Sequence, residues 1–128
     1  MTIYRLRNDL DWTNCVYVGR PNRQVPVVAP GRDGRFSNPF PVEGGGPEAR
    51  CTAIEKFAAW VVSDSLDAAR LRRSLGDLKD RDLVCWCAPK RCHAEVLLLL
   101  ADGGTTEDMA RFVAELRADL IPLALFNT

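Results

Sequence analysis

Apolar residues recur at different spacings along this chain, and each spacing predicts a kind of element. Ile54, Phe57, Ala58, Val61 and Val62 step by three and four positions, which gives a helix with one apolar face. Pro47 opens that helix, and Glu48 lies in its first turn. Ser65 or Asp64 caps a second helix carrying Leu66, Ala69, Leu71 and Leu75, which ends near Gly76. Arg91 to Ala101 is a strongly apolar helix closed by Asp102-Gly103-Gly104. Thr105 or Thr106 caps a last helix, with Glu107 and Asp108 at its positive end and Phe112, Val113 and Leu116 turned inward.

Short runs without helical period read as strands. Cys15-Val16-Tyr17-Val18 is a strand ending at Gly19-Arg20-Pro21, and Asp82-Leu83-Val84-Cys85-Trp86 is a buried one. Thr2 to Arg5 is a shorter strand. From Asn22 to Gly46 the chain is rich in Gly, Pro and Arg; Val25 to Val28 is placed there as an edge strand, since Pro26 argues against a central one. Strands separated by helices imply an α/β fold with a small, mostly parallel sheet flanked by helices in a Rossmann-like three-layer arrangement. Length assigns residues 1–128 to a single domain.

Composition narrows the partners. Seventeen basic side chains balance seventeen acidic ones, so no global field draws the protein onto nucleic acid or membrane. An anion would have to meet a local patch, and Arg20, Arg23, Arg32 and Arg35 form the one candidate in the sequence. Charges interrupt every apolar stretch from Met1 to Leu10, against a secretory leader, and the longest apolar run, Val96 to Ala101, is too short to span a bilayer. Five cysteines without an export signal favour free thiols, catalysis or metal over a disulfide framework, and place the protein in a reducing cytoplasm.

In parallel sheets, ligands bind beyond the carboxyl ends of the strands. Gly19-Arg20-Pro21 and the segment Cys87 to His93 both occupy such positions. A helix starting near Arg91 presents free backbone N–H groups and a positive dipole end, which makes Cys92 the expected most reactive thiol. His93 is the only histidine and so the only imidazole base.

Val16-Tyr17-Val18-Gly19-Arg20-Pro21, Asn38-Pro39-Phe40, the helix to Trp60 and Cys85-Trp86-Cys87-Ala88-Pro89 with Cys92-His93 form a string that resembles a domain-of-unknown-function family of phage and bacteria, number 4326. The resemblance runs from Val16 to Ala101 and implies the fold class and the site, with no activity attached. The stretch Asn22 to Ser37 looks expanded relative to the family pattern, so its arginines are not read through the resemblance.

The Cys/His segment supports several chemistries. Cys85, Cys87, Cys92 and His93 have the ligand types for zinc or an iron–sulfur cluster, but Cys-x-Cys is tight, and adjacent Cys92 and His93 diverge by about 100° on a helix. Zinc is therefore the less favoured cofactor. Cys92 or Cys87 as a nucleophile or binding thiol, assisted by His93 and Glu95, is the reading preferred as catalytic. Cys85 and Arg91 match a phosphatase-like Cys-x5-Arg loop, against which Pro89 removes a needed N–H. Plain core packing accounts best for Cys15, Cys51 and Cys85. Trp60 and Trp86 read as core or pocket wall. Asn38 either ties down its loop or reads a ligand edge. The ligand expected between Gly19, Arg20 and Asn38 on one side and Cys87 to His93 on the other is a nucleotide or nucleic-acid-derived phosphate; the alternative is a scaffold module stapled by zinc.

Overall fold

A computed structural model describes residues 2–88 and 90–120. Strand β1 (Ile3–Arg5), strand β2 (Cys15–Tyr17) and strand β3 (Asp82–Cys85) form one sheet in the order β1-β3-β2. Both pairings are parallel, with Tyr4 opposite Val84 and Val16 opposite Leu83. The late strand is thus central, and the carboxyl ends of β2 and β3 lie side by side. Strand alternation divides the side chains between two apolar clusters. Val16, Leu83 and Cys85 face one, and Cys15, Tyr17 and Val84 face the other.

The first cluster is covered by helices. Helix α1 (Gly46–Val61) carries Pro47 in its first turn and buries Cys51, Ile54, Phe57, Ala58 and Val61. Helix α2 (Leu66–Arg73) follows the N-cap Ser65 and leads into a 3-10 turn, Leu75–Leu78. It buries Ala68 and Leu71, whereas Leu66 is exposed because it sits on the opposite side of the first turn. Helix α3 (Ala94–Ala101) starts three positions later than Arg91, and Gly103 at φ +84° turns the chain after its end. Helix α4 (Thr106–Ala118) opens with a reciprocal capping box, in which Asp108 N–H bonds the Thr105 hydroxyl at 3.2 Å and Thr105 N–H bonds the Asp108 carboxylate at 2.8 Å. No described helix is long and apolar enough to cross a membrane.

The second cluster is covered by irregular chain. Tyr4, Leu6, Leu10 and Trp12 pack there with Val25 and Ala29. The segment Val25–Val28 is not an edge strand. Turns closed by Val25 N–H to Asn22 O, Ala29 N–H to Pro26 O and Arg32 N–H to Ala29 O follow one another, and Val27 and Val28 point outward. The Pro26 ring fits such a turn and denies the segment a ladder donor. Ladder-like bonds join this layer to the sheet, from Tyr17 N–H to Pro30 O at 2.8 Å and from Leu6 N–H to Cys85 O at 2.9 Å.

The arginines of this loop are largely occupied. Arg32 turns inward and donates from Nε to Val25 O at 2.8 Å, and Arg35 forks onto Asp33 at 2.8 Å with Asp77 beyond. The patch expected from Arg20, Arg23, Arg32 and Arg35 therefore does not assemble. Two of its members fasten the loop, and Arg20 is left to face the site.

Candidate functional site

Beyond the carboxyl ends of β2 and β3 lies a cavity of about 380 Å³. Gly19, Arg20 and Asn38 line one side, and Cys85, Trp86, Cys87, Cys92 and His93 line the other. These residues, widely separated in the chain, are the ones the sequence pattern singles out. Helix α1 closes the third wall with Arg50, Ala53 and Ile54. The sequence reading passed over Arg50, although a signal for it exists. It sits four residues before Ile54 and seven before Phe57, so a charge lies on the stripe that α1 otherwise buries.

The turn after β2 owes its shape to contacts with Tyr17. The Tyr17 hydroxyl donates to Arg20 O at 2.6 Å and accepts from Trp86 Nε1 at 3.1 Å. A side chain at Gly19 would meet that hydroxyl at 2.5 Å, so only glycine fits beneath the ring. The network ties the backbone bearing Arg20 to the segment bearing Cys87. Pro21 in turn rests on Gly34, whose φ of +83° suits glycine. Asn38 ties its loop down: its Oδ1 accepts from Phe40 N–H at 2.9 Å and its Nδ2 donates to Ala53 O at 3.2 Å. Phe40 then stands edge-on to Trp60 at a centroid distance of 6.4 Å.

His93 is buried, and its ring bridges two separate segments. Nε2 lies 2.8 Å from Val18 O and 3.0 Å from Phe36 O, and the ring stands edge-on to Phe57 at 5.0 Å. Two carbonyls can be satisfied only by an N–H, so Nε2 carries the proton and Nδ1 presents a lone pair. That lone pair faces Cys92 Sγ at 3.4 Å. Burial drives the imidazole pKa below its ordinary value, against the smaller opposing effect of the two carbonyls. The neutral ring is the folded form.

Unfolded His93 takes up a proton below about pH 6.5, whereas folded His93 resists it, so the unfolded state binds more protons and stability falls with falling pH. The expected slope is up to about 1.4 kcal/mol per pH unit from about pH 6.5 down to the folded value. Urea midpoints of Cys87→Ser, which removes the thiolate's own proton linkage, measured between about pH 7.5 and 5.5, above the range where most carboxylates titrate, will check it. With a single histidine in the chain, a flat profile there would contradict the buried neutral ring.

Cys85, Cys87 and Cys92 lie together on the cavity wall, close enough for each to shift the others' proton affinity. Cys87 is half-buried, and the other two are buried. The Cys85 and Cys92 thiols, together with the Arg50 guanidinium, hold the Cys87 thiol far below its ordinary pKa. Cys92 is pushed the opposite way by its sulfur neighbours and by burial, and Cys85 is raised as well. The expectation that Cys92 is the most reactive thiol is therefore revised. It precedes the helix, at 3% exposure, and its backbone N–H bonds Glu95 Oε2 at 3.3 Å, leaving Cys87 as the accessible thiolate. Cys85 lies within β3 at 1% exposure, not at the mouth of an anion loop as a Cys-x5-Arg reading requires. Cys15 and Cys51 are buried in the two apolar clusters.

Among the described residues, no group of three or more His, Cys, Asp or Glu is arranged to hold a metal ion. In His93, Nε2 is taken by two carbonyls, and Nδ1 points at the Cys92 sulfur.

Arg91 is held from several sides. Nη1 pairs with Asp119 at 3.0 Å, and the guanidinium lies over Phe112 at 5.6 Å. Nε is 3.1 Å from Glu95 Oε2 but off the hydrogen-bond direction, so this contact is an ion pair only. Arg20 and Arg50, by contrast, have no carboxylate within ion-pair distance among the described residues.

Residues 2–103 match the model of the family described as Domain of unknown function (DUF4326). The chain belongs to that family. The match takes in the sheet, the cavity and helices α1 to α3, and it stops before α4. Asp119, which holds Arg91, thus lies outside the part shared with the DUF4326 model. No curated protein and no solved structure matches the chain.

Proposed function

We propose that this cavity binds a phosphate-bearing ligand of nucleotide size, and that the protein holds or processes a nucleotide or a nucleic-acid-derived molecule there. One observation carries the reading. The lining contains Arg20, Arg50 and Arg91 and no carboxylate, in a chain whose total charge is zero. Arg91 is paired with Asp119 and Glu95, but Arg20 and Arg50 have no carboxylate partner among the described residues, and such cations around a concavity favour an anionic occupant. Guanidinium forks match phosphate oxygens in pairs. The volume suits a ligand of this class, and Trp86 and Phe40 offer apolar walls to a base.

Cys87 bears on the geometry of binding. Its thiolate and a phosphate would both draw on Arg50, so phosphate is best placed nearer Arg20, with the rest of the ligand passing Cys87. Calorimetry against a panel of nucleotides is the test. Arg20→Ala is expected to weaken binding by roughly 10- to 100-fold, in line with loss of a charge-assisted hydrogen bond, and Arg50→Ala to weaken it less. Bound ligand should also slow alkylation of Cys87. Failure of every phosphate compound to bind would leave a non-catalytic scaffold as the better account.

A further inference from the structure

We propose that Cys87 and Cys92 form a redox-active dithiol that reduces hydroperoxides, with Cys87 as the attacking sulfur and Cys92 as the resolving one. The proposal does not depend on a bound nucleotide. It begins from an asymmetry among the three clustered thiols. Cys87 is half-buried in the cavity wall beside Arg50, and solvent reaches it. Cys92 lies behind it at 3% exposure, on the same cavity wall and in the cluster against which Cys87 packs. An accessible thiolate next to a buried second thiol is the arrangement from which a sulfenic acid is trapped as a disulfide.

His93 decides which buried thiol resolves. Its Nε2–H is spent on Val18 O and Phe36 O, so its Nδ1 lone pair is fixed 3.4 Å from Cys92 Sγ. No comparable base contacts Cys85, which faces the other two sulfurs from within β3. Core packing alone requires neither a guanidinium against one sulfur nor an imidazole lone pair against another.

The Cys87 thiolate attacks the terminal oxygen of R–O–O–H; an S–O bond forms, the O–O bond breaks, and the departing alkoxide takes a proton from water. Cys92 then gives up its proton as its sulfur attacks Cys87 Sγ. The S–S bond forms, the S–O bond breaks, and the leaving hydroxide recovers that proton as water. Two thiols are oxidised by two electrons in total, and one hydroperoxide is reduced to an alcohol and water. An external dithiol restores the pair by exchange.

The experiment treats reduced, full-length protein with hydrogen peroxide in the absence of nucleotide, followed by thiol counting and peptide mapping. About two of the five thiols should disappear per equivalent of peroxide, with a Cys87–Cys92 crosslink that dithiothreitol reverses. Oxidation of Cys87 should run at least ~10-fold faster than that of Cys15 or Cys51, and Arg50→Ala should slow it by about 10-fold. In Cys92→Ser the Cys87 sulfenic acid should accumulate and be captured by dimedone, while Cys85→Ser should still form the crosslink. Because mapping is done on the wild-type chain first, a variant that misfolds leaves the result readable. A Cys85–Cys87 crosslink, first oxidation at Cys15 or Cys51, or Cys87 still reduced under excess peroxide would each overturn the proposal.

Discussion

Substituting His93 with alanine is expected to cost about 4 kcal/mol of folding stability and to lower the melting temperature by roughly 15 °C. Two losses add. The carbonyls of Val18 and Phe36, now 2.8 and 3.0 Å from Nε2, lose a shared donor inside the protein. The ring's edge contact with Phe57 becomes a void in the core. A buried acceptor without a partner costs about 1–3 kcal/mol, and large-to-small core changes of this kind cost about 3–5 kcal/mol. His93→Gln, which keeps a donor within reach of one carbonyl, should recover part of the loss. Denaturant unfolding of both variants is the measurement. An alanine variant as stable as wild type would mean that the ring does not bridge β2 to the loop at Phe36, and the fixed lone pair at Cys92 would go with it.

The same residue shows where the sequence was informative and where it stopped. That His93 belongs with Cys85, Cys87 and Cys92 follows from a strand running into a helix. Its restraint by Val18 and Phe36 comes from chain 75 and 57 positions away, and no local pattern encodes such a contact. A lone histidine beside cysteines reads as a base or a ligand until its other nitrogen is seen to be occupied. Burial likewise reversed the order of the thiols. Cys92 is nearer the helix in sequence, yet Cys87 is the one left open to solvent beside Arg50.

Elements with strong local signals were legible. Pro47, the Thr105 capping box, Gly103 and the apolar stripe of α1 each announce themselves within a turn or two. The placement of layers was less so. A small parallel sheet in an α/β fold is present, with helices over the face bearing Val16 and Leu83, but irregular chain covers the face bearing Tyr17 and Val84. Apolar residues in a Pro- and Arg-rich loop have no period to disclose that they are core, and Val25, Ala29 and Phe36 are buried there all the same. The loop's arginines misled for a related reason. Arg32 and Arg35 satisfy nearby backbone and acid groups, and a count of charges does not distinguish that from a free patch.

Gly31→Ala is expected to cost about 3 kcal/mol and to weaken ligand binding and Cys87 reactivity together. Gly31 has φ +81°, a conformation that strains any residue with a β-carbon. The added methyl would also run into the carbonyl oxygen of Tyr17, a strand backbone atom with little room to move. Relief requires the loop to lift from β2, which opens the bond from Tyr17 N–H to Pro30 O at 2.8 Å. The disturbance does not stay local, because the Tyr17 hydroxyl holds Arg20 O and Trp86 Nε1, and these lie on opposite sides of the cavity. Gly45→Ala is the matched control. Its φ is −106° and nothing lies within 4 Å of the position a β-carbon would take, so its stability should stay within about 0.5 kcal/mol of wild type. Urea unfolding of both variants, with alkylation of Cys87 followed in parallel, distinguishes the cases. Equal effects of the two substitutions would show that the loop over the second face of the sheet plays no part in shaping the site.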